Sequence, residues 1–386
     1  MSKLIKNNTK IHSNSIKHIK EYSRGIEQIS FYEKNFGGDE VRILLEAINY
    51  ILLKKRSTKA IYICFNQFKP RDKLSYLILE AIILELVETY DKAVYINLGN
   101  IIPQIHTDGL KDSLLVSFAN NEFNYREYVN KYKKKNRLNE HSFRRIVYSD
   151  ISNSVSELMT DVKTFLRCFQ FDKKDINKIA NLVSELADNA CEHGKSNCII
   201  DLDISDTHYK KDDEENEYYA INISALNFSS ILLGDALKDK LINCELPPNS
   251  RYDLIKNAYT CHKKFFDRKY SEEHFFSLAS MQNSISGREN EYHTGGKGLT
   301  EIVKELEVNS MHHECYVLFG NKIIFFEPEF LDVDSNHFIS FNNDKDFLYS
   351  KPCDNAIGLS NTYLEGTGYN LTLIYIKRSK KNDKQY

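Results

Sequence analysis

"VSELADNACEHG", residues 183–194, sets Glu185 and Asn189 one helical turn apart and ends on His193-Gly194. Four-residue spacing stacks those two side chains on one face. Leu182, Leu186, Ala187 and Ala190 lie close to them around the helix, so the polar pair is expected beside a buried seam. Gly194 suits the position after a helix C-terminus, where the chain leaves in a left-handed conformation. Alone, such a pair is an ordinary carboxylate and amide on an amphipathic helix. Its meaning depends on what the rest of the chain supplies.

Two helical segments, 149–169 and 172–193, lead into this motif. "NCIIDLDIS" (197–205) and "EYYAINISAL" (217–226) follow as strands separated by an acidic loop. After a long irregular region, "GLTEIVKELE" (298–307) reads as a helix. "ECYVLFG" (314–320), "KIIFFEPE" (322–329), "HFISFN" (337–342) and "YNLTLIYIK" (369–377) then read as successive strands. Helices grouped with an antiparallel strand set predict an α+β sandwich over 143–386.

Upstream the pattern alternates instead. "EQISFYEKN" (27–35), "KAIYICFNQF" (59–68) and "KAVYINLGN" (92–100) read as strands. "GGDEVRILLEAINYILLKKR" (37–56) and "KLSYLILEAIILELVETY" (73–90) between them read as helices, which predicts a smaller α/β domain over 26–142. The charged run 128–142 marks its end, and residues 1–25 read as a polar, loosely ordered tail. The strand, loop and long helix of 26–142 resemble a STAS domain in order, although any small α/β domain has the same pattern.

The chain has 386 residues, 41% hydrophobic content and a formal charge of −2. Two domains with packed cores are expected, and no footprint for nonspecific nucleic-acid binding. None of the eight cysteines forms a CxxC pair, the N-terminus lacks an apolar signal core, and no eighteen-residue apolar stretch occurs. Reduced thiols, a cytoplasmic location and no membrane span are the expectation.

Three signals in order give the opening motif its sense. The helix carries Glu185, Asp188, Asn189 and His193-Gly194; "HTGGKGLTEIVKEL" (293–306) puts a glycine-rich turn before a helix; "EGTGYNLTLIYI" (365–376) puts Gly366-Thr367 before a strand. Together they resemble the GHKL ATPase superfamily, which includes gyrase and the histidine kinases, over roughly residues 145–380. The resemblance implies a GHKL (Bergerat) sandwich binding ATP with magnesium. It implies that Asn189 ligates the ion and that Glu185 orients or deprotonates a water. Gly295, Gly296, Gly298 and Leu299 would cradle phosphate, with Lys297 adding charge and Thr367 closing the pocket. The chemistry agrees: magnesium takes hard oxygens while keeping several waters, and glycine-rich turns let amides approach phosphate.

One element departs from the family. Where its first glycine box carries an aspartate that reads adenine, this chain has Asn227, followed by Phe228 and Ser229. An asparagine carbonyl accepts from an amine, while its NH₂ equally suits a carbonyl-bearing base. Residues 229–294 correspond to the family's lid, in which Arg288 is a phosphate-clamp candidate or an ordinary loop arginine. The expected function is an ATPase or nucleotide-dependent switch acting through the N-terminal domain, a protein partner or a homodimer. Alternatives are a histidine- or serine-directed protein kinase and a noncatalytic interaction protein with a vestigial pocket. His141 is a poor phosphoacceptor candidate.

Overall fold

The computed structural model describes residues 3–32, 35–101, 113–119, 125–134, 136–192, 194–208, 216–244, 246, 250–285, 303, 305–306, 308–309 and 314–377. Two short helices, α1 (Leu4–Asn7) and α2 (Ser13–Ile16), lead into β1 (Ile19–Ser23) and β2 (Ile26–Phe31). Then come β3 (Asn35–Phe36), α3 (Gly38–Lys54), β4 (Ala60–Phe65), β5 (Gln67–Pro70), α4 (Lys73–Glu88), β6 (Ala93–Asn97) and β7 (Asn100–Ile101). Strands β2, β4 and β6 are parallel, with Ile29 opposite Ile63 and Ile63 opposite Ile96. β1 adds antiparallel at the edge, giving the order β1-β2-β4-β6. Successive right-handed crossovers place α3 and α4 on the same face.

The polar composition of residues 1–25 conceals two anchors. Leu4 and Ile5 are buried in the N-terminal core, and the Ile5 amide donates to Glu85 at 3.3 Å. The His12 amide (2.9 Å) and the Ser15 hydroxyl (2.6 Å) both donate to Glu46 of α3. Burial opposes ionisation of Glu46, yet these bonds and Arg42 hold its carboxyl down at about 2. Residues 4–15 are therefore stitched onto α3 and α4, and β1 follows as the edge strand on β2.

Helices α5 (Leu114–Ala119) and α6 (Tyr125–Tyr132) lead to β8 (Asn136–Leu138) and β9 (Ser142–Val147). Next are α7 (Ser154–Leu166), α8 (Lys173–Glu192), β10 (Cys198–His208) and β11 (Tyr218–Phe228). Helices α9 (Asp235–Asn243), α10 (Arg251–His262) and α11 (Glu272–Ser280) precede β12 (Tyr316–Phe325) and β13 (Ile357–Ile376). Among the described residues β8–β13 form an antiparallel sheet of order β12-β13-β11-β10-β9-β8. Helices α7 to α11 share one core with one face of this sheet, built on Ile179, Val183, Leu186, Ile221, Ile223 and Phe275. The other face contributes Leu226, Leu318 and Leu364 to the core of α3 and α4.

This stacking explains α4. Its run "YLILEAIILEL" is apolar except for Glu80 and Glu85, both of which find polar partners, and is buried throughout, the mark of a helix covered on all sides. One side packs on the small parallel sheet and the other on β11 and β13. The chain is thus α+β, and the segments on either side of residue 142 share a continuous apolar contact. No helix among the described residues is long and apolar enough to cross a membrane.

Three local expectations differ from the structure. The segments 314–320 and 322–329 contribute to a single strand, β12, whose pairing shifts at Gly320, a residue with φ of +55°. Residues 337–342 are not a strand: His337 and Phe341 have positive φ, and the Gln282 amide pairs with both backbone groups of Ile339. The region 229–285, expected as irregular, carries α9, α10 and α11. Tyr252, Tyr270, Phe275 and Phe276 from it are fully or almost fully buried in the main core.

Candidate functional site

Helix α8 buries Ile179, Ala180, Val183, Leu186 and Ala187, which leaves Glu185 and Asn189 half-buried at the margin of the packed stripe. The Asn189 Nδ2 is buried and has no hydrogen-bond partner among the described residues. An orphaned buried amide costs about 1–3 kcal/mol unless something satisfies it.

The exit from α8 corrects the reading of Gly194. The left-handed residue is Lys195, with φ of +47°, and not Gly194. Glycine is needed at 194 for room. A Cβ there would lie 2.5 Å from Asn227 Nδ2 and 2.6 Å from the Ala190 carbonyl oxygen. The Gly194 amide donates to the Asn189 carbonyl at 3.3 Å, and its own carbonyl accepts from Ser229 Oγ at 2.5 Å.

Asn227, at the end of β11, is the hub of this junction. Its Nδ2 donates to Ser196 Oγ at 3.2 Å and its Oδ1 accepts from the Thr367 backbone amide at 2.7 Å. Gly366 on β13 has φ of +144°, and a side chain there would collide with the Asn227 carbonyl, so backbone meets backbone. The Ser229 amide closes the ring by donating to the Glu365 carbonyl at 3.0 Å. Three separate motifs, the end of α8, the end of β11 and Gly366-Thr367 in the middle of β13, therefore meet at one point. Asn227 keeps one oxygen lone pair and one N–H beyond these bonds. Gly295, Gly296, Lys297, Gly298, Leu299, Arg288 and His193 lie outside the described residues.

A second polar cluster escaped the sequence reading. Lys73 of α4 pairs with Asp201 at 2.5 Å and with Asp203; Arg144 of β9 pairs with Glu80 at 2.5 Å and with Asp201; Tyr76 donates to Glu80. All are buried. Burial would raise the Asp201 carboxyl, but Arg144 and Lys73 hold it below its ordinary value. Burial wins at Asp203, which rises to about 6 despite Lys73. Burial would likewise depress the Lys73 ammonium, but the two aspartates keep it raised. The signal was present in "DLDIS": two acids two residues apart in an otherwise apolar strand share one face. Asp203 Oδ1 has no hydrogen-bond partner and lies beside a void of about 20 Å³, room for one water. The cluster ties α4 to the outer face of the large sheet. Among the described residues no group of three His, Cys, Asp or Glu side chains is arranged to hold a metal.

Compared with known proteins, the chain matches no family model, no curated protein and no solved structure.

Proposed function

We propose that the chain is a magnesium-dependent ATP-binding protein of the GHKL type, working as an ATPase or a nucleotide-dependent switch. The observation that carries this reading is the junction itself: motifs that the sequence separates by about 170 residues lie hydrogen-bonded around Asn227. In this reading Asn189 holds the ion through its side-chain oxygen; its Nδ2 is buried without a hydrogen-bond partner among the described residues. The ion would supply charge neutralisation at the phosphate oxygens. Glu185, one turn earlier and half-buried, orients the attacking water and takes its proton. The remaining lone pair and N–H of Asn227 face the base.

An output route is also available. Lys3 and Asn7 hold the Glu365 carboxylate at 3.2 and 2.6 Å, and Glu365 immediately precedes Gly366. Movement at Gly366-Thr367 would therefore be felt by α1 and, through it, by α3 and α4.

Calorimetric titration of the whole chain with ATP, ADP and GTP, with and without magnesium, tests the reading. Magnesium-dependent ATP binding that Asn189→Ala abolishes, with an unchanged unfolding midpoint, is the expected result. The burial of Asn227 and the engagement of both its side-chain polar atoms by Ser196 and Thr367 favour a second reading, a noncatalytic protein with a vestigial pocket. Absence of binding by all three nucleotides would select it.

A further inference from the structure

The short strands β3, β5 and β7 prolong the carboxyl ends of β2, β4 and β6 and pair parallel to one another. The chain turns there into α3 and α4, and in open parallel sheets this end is where ligands bind. A cleft of about 450 Å³ lies at those turns, between the small domain and the ends of β12 and β13. That volume falls within the range of small-molecule sites, roughly 300–1,000 Å³. Val41, Leu74, Ile78, Leu318, Phe325 and Leu364 supply apolar wall. Gly38 opens onto empty space: a Cβ there would meet nothing within 4 Å.

The polar groups of the cleft differ in how far they are committed. Both Asp72 oxygens are taken, one by the Ser75 amide at 2.7 Å and one by the Tyr316 hydroxyl at 2.9 Å. The Asn370 amide donates to the Glu314 carbonyl and accepts from the Leu74 amide. Arg71 is different. Its stem lies against Gly37, its side chain is exposed, and among the described residues its guanidinium makes no ion pair or hydrogen bond. Among the described residues it is a cation of the cleft with no ion pair or hydrogen bond, on a wall that mixes apolar side chains with Ser75, Thr362 and the carboxylates of Asp72 and Glu314.

We propose that this cleft binds a small amphipathic anion, an apolar chain or ring bearing one carboxylate or phosphate. The apolar body fills the space between α3, α4 and β13, where burial rewards it. The head stays at the wet rim against Arg71, so no charge is buried unpaired. Such a ligand would touch both the small domain and the large sheet. The site is separate from the Asn227 junction, and its test does not depend on nucleotide binding.

Titration of the full chain with decanoate, decyl phosphate, decanol and inorganic phosphate, each below any micellar concentration, decides it. At least one decyl anion should bind more tightly than decanol and than inorganic phosphate, and the preferred one identifies the head group. Arg71→Gln should weaken anion binding at least tenfold and leave decanol unchanged, since a hydrogen bond to a charged group is lost. Gly38→Leu should block every decyl probe by filling the cleft, and urea unfolding establishes that each variant is folded. Decanol binding as tightly as both anions, an Arg71→Gln variant with full anion affinity, or no binding by any probe would each overturn the proposal. If Gly38→Leu does not fold, the Arg71→Gln comparison decides alone.

Discussion

Replacing Gly194 with alanine should destabilise the chain by about 2–4 kcal/mol. An added Cβ would sit 2.5 Å from Asn227 Nδ2, 2.6 Å from the Ala190 carbonyl oxygen and 3.4 Å from Ser196 Oγ. The first two are closer than non-bonded carbon tolerates. Overpacking of this kind costs about 1–3 kcal/mol, and a backbone oxygen inside a helix cannot move aside cheaply. If Asn227 retreats instead, its bonds to Ser196 and Thr367 lengthen, at about 1 kcal/mol for each bond lost. Urea unfolding of wild type, Gly194→Ala, Asn227→Ala and the double variant separates the contributions. Truncating Asn227 removes one of the two clashing atoms, so Gly194→Ala should cost less in that background, with a coupling of about 1 kcal/mol. A Gly194→Ala chain within about 0.5 kcal/mol of wild type would refute the claim that glycine serves close packing there.

Lys73→Met leaves Asp203 buried without its cation and should cost about 3–5 kcal/mol by urea unfolding, whereas Lys73→Met with Asp203→Asn should recover part of the loss. Asp203 is raised above its unfolded value, so the folded chain binds the extra proton. Its contribution to stability is full below pH 3.8 and declines as pH climbs to about 6. Wild type should therefore lose stability relative to Asp203→Asn across that window, and parallel curves would show the carboxyl to be unshifted. Glu46 behaves in the opposite sense: its stabilisation is present above pH 4.5 and disappears as pH falls to about 2, so Glu46→Gln should be weaker than wild type at neutral pH and converge with it in acid. If the chain hydrolyses ATP, Glu185→Gln should slow turnover about a hundredfold to ten-thousandfold while nucleotide affinity stays as in wild type.

Much of the architecture was legible because period and length carry it. The apolar strands 60–65 and 93–97, and helices α3, α4, α7 and α8, appear close to where the sequence places them. What escaped has physical causes. Leu4 and Ile5 are two apolar residues in a polar run, and only the partners on α3 and α4 reveal them as anchors. Helices α9 and α11 are nine residues each, and α10 and α11 carry aromatic residues at irregular spacing, so no clean stripe announces them. In 337–342 the residues are apolar enough for a strand, but Gln282 supplies the pairing that a neighbouring strand would. For the candidate site, spacing marked out Glu185 and Asn189, and the family resemblance pointed to Asn227 and Thr367. Both were silent on Ser196 and Ser229, whose small hydroxyls matter only once the junction is assembled.

The double coverage of α4 has a consequence for the order in which the polypeptide is made. The helix is complete by residue 88, yet one side waits for β13, which ends at Ile376. At about 5–20 residues per second that interval is on the order of 15–60 s. For that time the finished helix lacks β13, although β11 is made earlier, and Leu4 and Ile5 beside it still lack the strand that carries Glu365. The docking of β13 onto this face therefore comes after the small domain and β11 have been made.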